Sequence, residues 1–193
     1  MSSAVSRSVL RRVPLEWITT PALLLAVLAI WHGYVAGFDV SPFILPRPGA
    51  VIDAWRELLT TRSTWWHSWA TVYETLAGFG FALVSGVVLG LNTTRLQRFR
   101  HLELPSALPY IITGMEVGIV LAIIGAVVGE YLGGNRGLGY LLIAKMNAYE
   151  TDMLFAVLIH LTVIGFAFYL SVGLLRRFVI PWHESVQMER RAR

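Results

Sequence analysis

Four apolar stretches, each about as long as a bilayer is thick, constrain this chain more than any other feature. They cover residues 18–35, 69–91, 107–132 and 154–175. A helix needs about 20 consecutive apolar residues to cross the hydrocarbon core. In lipid the backbone N–H and C=O groups must pair within the segment, and apolar residues occur on all faces, so these stretches are helices. The sequence predicts an all-α, polytopic transmembrane bundle with about four spans, forming a single domain over residues 1–193.

The composition excludes an ordinary soluble domain and any chemistry that depends on thiols. Hydrophobic residues make up 55% of the chain and charged residues 15%, with a mean hydropathy of +0.61. Cysteine is absent, so disulfides and thiolate metal sites are excluded. The basic N-terminus followed by an apolar run is typical of a secretory signal. However, the run is long and no small-x-small cleavage site follows it, so we expect an uncleaved first span.

The distribution of basic residues predicts the orientation of the bundle. Eleven of the 16 Lys and Arg residues lie in the N-terminal tail, in the segment after the second apolar stretch, and in the C-terminal tail. The positive-inside rule therefore places both termini and that segment in the cytoplasm. This asymmetry also accounts for the basic pI. The basic residues flank the spans and do not form one basic face, so nucleic-acid binding is disfavoured.

The connection between the first two spans combines a non-helical loop with an amphipathic helix. Pro42, Pro46 and Pro48 exclude a helix across residues 41–49. After them, apolar residues recur at helical spacing, which predicts a helix lying in the outer interface. The residues are Val51, Ile52, Trp55, Leu58 and Leu59. Trp65, Trp66 and Trp69 mark the entry of the second span as interfacial aromatic residues.

A basic segment ending in Leu104-Pro105 separates the second and third apolar stretches. Residues 95–103 are typical of a short amphipathic helix, and the Leu-Pro step turns the chain back towards the bilayer. Such a segment suits a cytoplasmic docking element. Its arginines are also explained as topology anchors, which is the interpretation that the residues alone favour.

Few groups suitable for catalysis are present. Glu116 and Glu130 lie in or near the third span and His160 lies within the fourth, and a carboxylate inside a membrane is a functional candidate by default. The alternatives are that Glu116 reaches the cytoplasmic interface, that Glu130 marks the outer end of its span, and that His160 is a buried, hydrogen-bonded residue. His183-Glu184 begins like a zinc-binding helix but lacks its second histidine, so no catalytic residue or metal site is predicted.

Glycines occur in two patterns that bear on packing and on the outer surface. Three pairs at a spacing of four residues, which favours close helix packing in a bundle or dimer, are Gly86 and Gly90, Gly114 and Gly118, and Gly125 and Gly129. Residues 133–139 predict a flexible outer turn. Within it, Asn135 and Arg136 are candidates for contact with an outer partner or an anionic solute, although the residues favour a charge facing water for Arg136.

Several of these segments together resemble the permease subunits of bacterial ABC importers. The resemblance covers most of the chain from about residue 17, and its nearest branch is the nitrate, sulfonate and taurine type, which includes permeases for pyrimidine precursors of thiamine. The segments that carry it are residues 45–48, 94–114, 124–130, 135–140 and 181–183.

The resemblance implies a role for the basic segment and a set of partners. Residues 94–109 would be the remainder of the cytoplasmic coupling loop. It would contact an ABC ATPase. That partner would bind ATP, and this chain itself would hold no cofactor. Outside, a solute-binding protein would deliver the solute, and a second permease copy and membrane lipid would complete the assembly. The implied coupling residues are Arg95, Arg98, Phe99, Arg100, Leu102, Leu104 and Pro105.

The chain departs from the family pattern between its second span and the coupling loop. Permeases of this type have two further spans there, then a Glu-Ala-Ala segment and a glycine, whereas here Asn92 stands at the place of that glycine. An even number of spans is missing, so the predicted topology is preserved. Three functional classes remain: a permease subunit for a small anionic or heterocyclic solute, a shortened, non-transporting remnant or scaffold, and a membrane-embedded enzyme using Glu116, Glu130 and His160.

Overall fold

The computed structural model describes residues 16–90 and 104–179, which form helices with no strand in these two ranges. Six helices follow one another along the chain. They are α1 (Glu16–Gly37), α2 (Pro48–Thr60), α3 (Arg62–Gly90), α4 (Leu104–Gly133), α5 (Leu138–Asn147) and α6 (Thr151–Val179). The predicted all-α class is confirmed.

Within the described ranges, three helices are long and apolar enough to cross a membrane. These segments are Thr19–Gly37 of α1, Leu108–Gly133 of α4 and Thr151–Arg176 of α6, and each coincides with a predicted span to within three residues at either end. The remaining predicted span lies on α3, whose 29 residues extend about 44 Å. The helix begins at Arg62, seven residues before the predicted start of the span. The predicted count of four spans requires that α3 crosses the membrane.

The proline-rich connection is non-helical over residues 41–47. The amphipathic helix that follows is α2, and its first turn includes residues 48–49, which were predicted to be non-helical. Asp39 adopts the left-handed region at φ 47°, and the helix starts at Pro48, where a missing N–H costs nothing. The apolar face of α2 packs mainly on α6. Val51, Ala54 and Leu58 are buried there, so this part of the apolar face contacts protein.

The core of the described part lies where α2, α5 and α6 meet. Its buried members are Ala54, Leu58, Leu138, Ala156 and Val157. Helix α5 is a second short helix that the sequence reading assigned to the loop between the third and fourth spans. Leu138 at its start is completely buried, which ties the outer turn directly to the core.

Two polar contacts close the same end of the bundle. The Thr151 hydroxyl at the start of α6 donates to the Phe43 carbonyl oxygen at 2.8 Å, which fixes the proline-rich loop to α6. Between α5 and α6, Tyr149 adopts φ 59° and Lys145 pairs with Glu150 at 2.6 Å. The outer connections are therefore short and anchored.

Candidate functional site

One face of α3 carries a row of buried hydroxyl groups. Thr64, Ser68, Thr71 and Thr75 recur at spacings of four, three and four, which places them on one side of the helix, and all are buried. A buried hydroxyl must find a hydrogen-bond partner or lose free energy. Ser68 and Thr71 donate to carbonyl oxygens one turn earlier on α3, and the Thr75 hydroxyl has no partner among the described residues.

Three side chains bind three consecutive backbone N–H groups at the start of α5. The Gly137 N–H donates to His67 Nδ1 at 3.1 Å, and the Leu138 N–H donates to Thr71 Oγ1 at 2.8 Å. The Gly139 N–H donates to Glu130 Oε2 at 2.7 Å. The first N–H groups of a helix have no partner within the helix, so α3 and α4 together supply the cap that the local sequence lacks. We call His67, Thr71 and Glu130 the capping triad.

Glycine is required at the positions where the chain passes the Glu130 carboxyl group. Gly137 adopts φ 103° and ψ 169°, a conformation that essentially only glycine tolerates. A Cβ there would collide with the Glu130 carboxyl group. At Gly139 a Cβ would lie 2.5 Å from the Val127 carbonyl oxygen. The second half of the outer turn is therefore buried and fixed, contrary to the expected flexible turn.

Glu130 is placed where both its charge and its hydrogen-bonding capacity are useful. Only 3% of its surface is exposed, and its carboxyl group faces the N-terminus of α5, where the helix dipole favours negative charge. Its Oε1 atom has no hydrogen-bond partner among the described residues. Glu130 therefore has a structural role in capping α5, whereas its predicted place at the outer end of a span stays a prediction.

The surroundings of His67 favour its neutral form. Burial lowers the pKa of His67 below its ordinary value of 6.5, because desolvation disfavours the imidazolium. The Tyr140 ring stacks on the imidazole with the ring centroids 5.8 Å apart. A proton on Nδ1 would remove the acceptor of the Gly137 N–H. His67 can therefore cap the start of α5 only while its imidazole is neutral.

Asn135 and Arg136 are exposed at the tip of the fixed turn, and their assignment to the outer side stays a prediction. The Arg136 Nε atom lies 4.0 Å from Glu74 Oε1 on α3. Both side chains are substantially exposed, so this ion pair adds little stability. Arg136 therefore retains a solvent-facing charge on a rigid support.

The three groups considered for acid–base chemistry have separate partners. Glu116 pairs with Arg176 of α6 at 3.3 Å, and His160 Nε2 lies 2.9 Å from Ser68 Oγ. Glu116 and Glu130 are 14 residues apart on α4, a separation of roughly 21 Å along the helix axis. The structure therefore does not bring the two carboxyl groups together as a catalytic pair.

The candidate coupling residues lie mostly beyond the described ranges. Arg95, Arg98, Phe99, Arg100 and Leu102 belong to the undescribed segment 91–103. Leu104 and Pro105 form the first turn of α4, where proline is tolerated, so this Leu-Pro step begins the next helix. Their assignment to ATPase contact remains a prediction.

His67 and Thr71 are the site residues that sequence reasoning missed. Their signal was present in the hydroxyl row on α3, with His67 one residue before Ser68. Only the tryptophans of this segment, Trp65, Trp66 and Trp69, were used to predict its role. The partner N–H groups, in contrast, come from a segment about 70 residues away, and nothing local indicates that pairing.

The chain matches the family described as binding-protein-dependent transport system inner membrane component over residues 1–182, and it belongs to that family. The three apolar helices and this family place it in the bacterial inner membrane as a multi-pass protein. The family consists of transporter permease subunits, which confirms the resemblance found in the sequence. No solved structure matches the chain.

Curated relatives are permeases for several small solutes. The riboflavin transport system permease protein RibX of Chloroflexus aurantiacus is 25% identical over 248 residues, covering 88% of this chain and 92% of RibX. The formylaminopyrimidine transport permease protein ThiX of Halalkalibacterium halodurans is 35% identical over 95 residues, covering 49% of this chain and 38% of ThiX. The taurine transport system permease protein TauC of Escherichia coli is 32% identical over 97 residues, covering 50% of this chain and 35% of TauC.

These lengths bear on the missing spans. The RibX alignment extends over 248 residues, whereas 88% of a 193-residue chain is far fewer, so the alignment contains gaps on the side of this chain. The alignments with ThiX and TauC cover about half of this chain and little more than a third of each relative. The gapped RibX alignment agrees with an internally shortened permease.

Removing the Thr71 hydroxyl should destabilise the outer turn. Thr71→Val leaves the buried Leu138 N–H without an acceptor, which costs about 1–3 kcal/mol, and the Tm in detergent should fall. Thr162→Val is the matched control, because Thr162 makes an exposed bond to the Leu158 carbonyl of its own helix. Equal Tm values for the two variants would contradict a capping role for Thr71.

A side chain at Gly137 should be far less tolerated than one at Gly133. Gly137→Ala forces a Cβ against Glu130 and a backbone conformation that costs about 1–3 kcal/mol for a non-glycine residue. Gly133→Ala meets open space. Fluorescence-detected size-exclusion chromatography should show loss of the monodisperse peak for the first variant only, and similar profiles would refute the fixed turn.

Acidification should loosen the turn. Because the pKa of His67 is lowered in the folded chain, its stabilising contribution is complete above 6.5 and is lost as the pH falls from there through the folded pKa. Protease cleavage within residues 133–139 should therefore increase below pH 6.5. In His67→Gln, whose side chain does not titrate, this pH dependence should disappear, and its persistence would exclude His67 as the sensor.

Proposed function

We propose that this chain is the permease subunit of an ATP-driven importer for a small solute. The observation that carries the proposal is the family match over residues 1–182. The fully capped outer turn supports it, because a solute-delivering protein needs a rigid surface to dock on, and Asn135 and Arg136 are presented on one. The capped turn is an observation of the structure and is independent of the family match.

The proposed partners divide between the two sides of the membrane. A cytoplasmic ABC ATPase would contact residues 94–109, chiefly through Arg98 and Phe99, and would bind and hydrolyse ATP. An extracytoplasmic solute-binding protein would contact the outer turn. This chain would hold no cofactor or metal of its own and would carry out no chemical step, and a second copy would complete the pathway.

The solute class follows from the relatives and from the outer charge. Permeases named for riboflavin, formylaminopyrimidine and taurine suggest a small anionic or heterocyclic solute. The exposed Arg136 guanidinium suits carboxylate, sulfonate or phosphate groups, which it can bind through two parallel hydrogen bonds. The transport function should be tested first and the solute class afterwards.

The second candidate function is a non-transporting remnant or scaffold. The observation in its favour is the gapped alignment with RibX, since the lost residues would include helices that line a pathway. A membrane-embedded enzyme is disfavoured by the separate partners of Glu116 and His160. The two remaining functions differ in whether an ATPase binds.

Association with an ATPase tests the proposal directly. The full chain, tagged in its native host and extracted in mild detergent, should co-purify with an ABC-type ATPase. Arg98→Glu and Phe99→Ala should each reduce the bound ATPase about tenfold or more, the effect of losing an interface residue worth about 2 kcal/mol. Membrane levels should not change, because neither residue lies in a span.

Phe43→Ala is the matched control, since Phe43 is an exposed aromatic residue on the predicted outer side. It should leave ATPase association unchanged. If the unsubstituted chain reaches the membrane and brings no ATPase, the remnant function replaces the permease function. If Phe43→Ala reduces association as much as Phe99→Ala, the assigned coupling surface is wrong.

A further inference from the structure

A notch of about 240 Å³ lies between the first half of α3 and the outer turn. Ala70 is the buried member of its lining, and Arg136 of the turn borders it. The remaining lining residues are aromatic and each more than half exposed: Trp66, Trp69 and Tyr73. Small-molecule sites usually occupy roughly 300–1,000 Å³, so the notch suits one polar group of a larger molecule and not a whole solute.

The notch has both signs of charge within reach. The Arg136 Nε atom is 4.0 Å from Glu74 Oε1, and Glu74 follows Tyr73 on α3. The Arg136 and Glu74 side chains are 53% and 37% exposed, so a polar group that enters the notch can contact both. Arginine carries five N–H donors, and a contact of one nitrogen with Glu74 does not use the others. The site therefore offers donors to a phosphate and a carboxylate to a cation.

An apolar strip on α3 continues from the notch along the helix. Its members Leu76, Gly80 and Val84 follow Tyr73 at spacings of three, four and four, which places them on one face. Leu76 is 48% exposed and Val84 is 60% exposed, and a Cβ added at Gly80 would meet open space. From Tyr73 to Val84 the helix rises about 16 Å, close to half of the roughly 30 Å hydrocarbon core. The apolar strip therefore has the length of one leaflet.

The paired charges select among the phospholipids of a bilayer. A headgroup with a net negative charge would bring its anion close to the Glu74 carboxylate, and like charges repel. A zwitterionic headgroup satisfies both side chains, because its phosphate can accept parallel hydrogen bonds from Arg136 while its cation contacts Glu74. A primary ammonium group has three N–H donors for this carboxylate, whereas a quaternary ammonium group has none. The notch therefore favours a headgroup with a primary ammonium.

We propose that the notch binds a phospholipid whose headgroup ends in a primary ammonium group. The phosphate contacts Arg136, the ammonium contacts Glu74, and one acyl chain lies along the apolar strip. The three aromatic side chains flank the glycerol region at the membrane interface, where such residues accumulate. The inference requires that α3 crosses the membrane, and it does not depend on ATPase binding or on transport.

Competition between lipids tests the proposal. The full chain, purified in mild detergent, is mixed with equal amounts of phosphatidylethanolamine, phosphatidylcholine and phosphatidylglycerol that share the same acyl chains, and bound lipid is measured by native mass spectrometry. We expect phosphatidylethanolamine to be bound about fivefold more than either competitor, the effect of one partly exposed charge contact worth about 1 kcal/mol. Equal binding of the three lipids, or a preference for phosphatidylglycerol, overturns the proposal.

Two substitutions in the site should change lipid binding in different ways. Glu74→Gln removes the charged partner of the ammonium, so phosphatidylethanolamine and phosphatidylcholine should bind equally. Arg136→Gln removes the partner of the phosphate, so binding of all three lipids should fall about fivefold. Because this ion pair adds little stability, both variants should keep the elution profile of the unsubstituted chain. A preference for phosphatidylethanolamine that persists in both variants contradicts the assigned contacts.

The ion pair of Asp53 and Arg56 on α2 provides the matched control. Its Arg56 Nη1 atom lies 3.3 Å from Asp53 Oδ1, and both side chains are exposed, but neither residue lines the notch. Asp53→Asn and Arg56→Gln should leave the lipid preference unchanged. If they reduce it as much as Glu74→Gln and Arg136→Gln, the aromatic notch does not determine the binding and the proposal fails.

Two further outcomes separate the lipid from a soluble ligand and from the transport function. Glycerophosphoethanolamine, which carries the same headgroup without acyl chains, should not displace the lipid at equal concentration. Displacement would assign the notch to a soluble phosphate-bearing molecule and overturn the lipid proposal. A chain that prefers phosphatidylethanolamine but brings no ATPase from its host retains the lipid site and loses the importer function.

Discussion

Every backbone N–H taken out of water must find an acceptor, and the outer half of this molecule is arranged around that requirement. Helix α5 starts abruptly at the turn after α4, and its first N–H groups have no acceptor in the local sequence. The capping triad supplies three acceptors from two other helices. Because Leu138 is also part of the core with α2 and α6, these three bonds join all the packed elements of the outer side.

The elements predictable from the sequence are those whose signal is local. Apolar length identified α1, α4 and α6 to within a few residues, and helical periodicity identified α2. The proline-rich loop was equally readable, since proline acts on its own backbone. The surface that covers the apolar face of α2 was not predictable. An amphipathic pattern indicates that a face is covered, but it does not distinguish lipid from protein.

The capping triad was only partly predictable, for a physical reason. Glu130 stood out because a carboxylate near a span is costly and so needs a purpose. His67 and Thr71 are ordinary residues for an interfacial helix, and their role exists only once α5 approaches α3. The glycines of residues 133–139 suggested flexibility from composition, whereas Gly137 and Gly139 serve close approach to Glu130.

The Glu116–Arg176 ion pair has a mechanical consequence. It joins α4 and α6 with the Glu116 side chain largely withdrawn from solvent. The Arg176 side chain is 40% exposed, so the pair is partly solvated and adds a polar link between two helices that also pack on each other. A displacement of the start of α4 is therefore transmitted to α6, because the two helices move together.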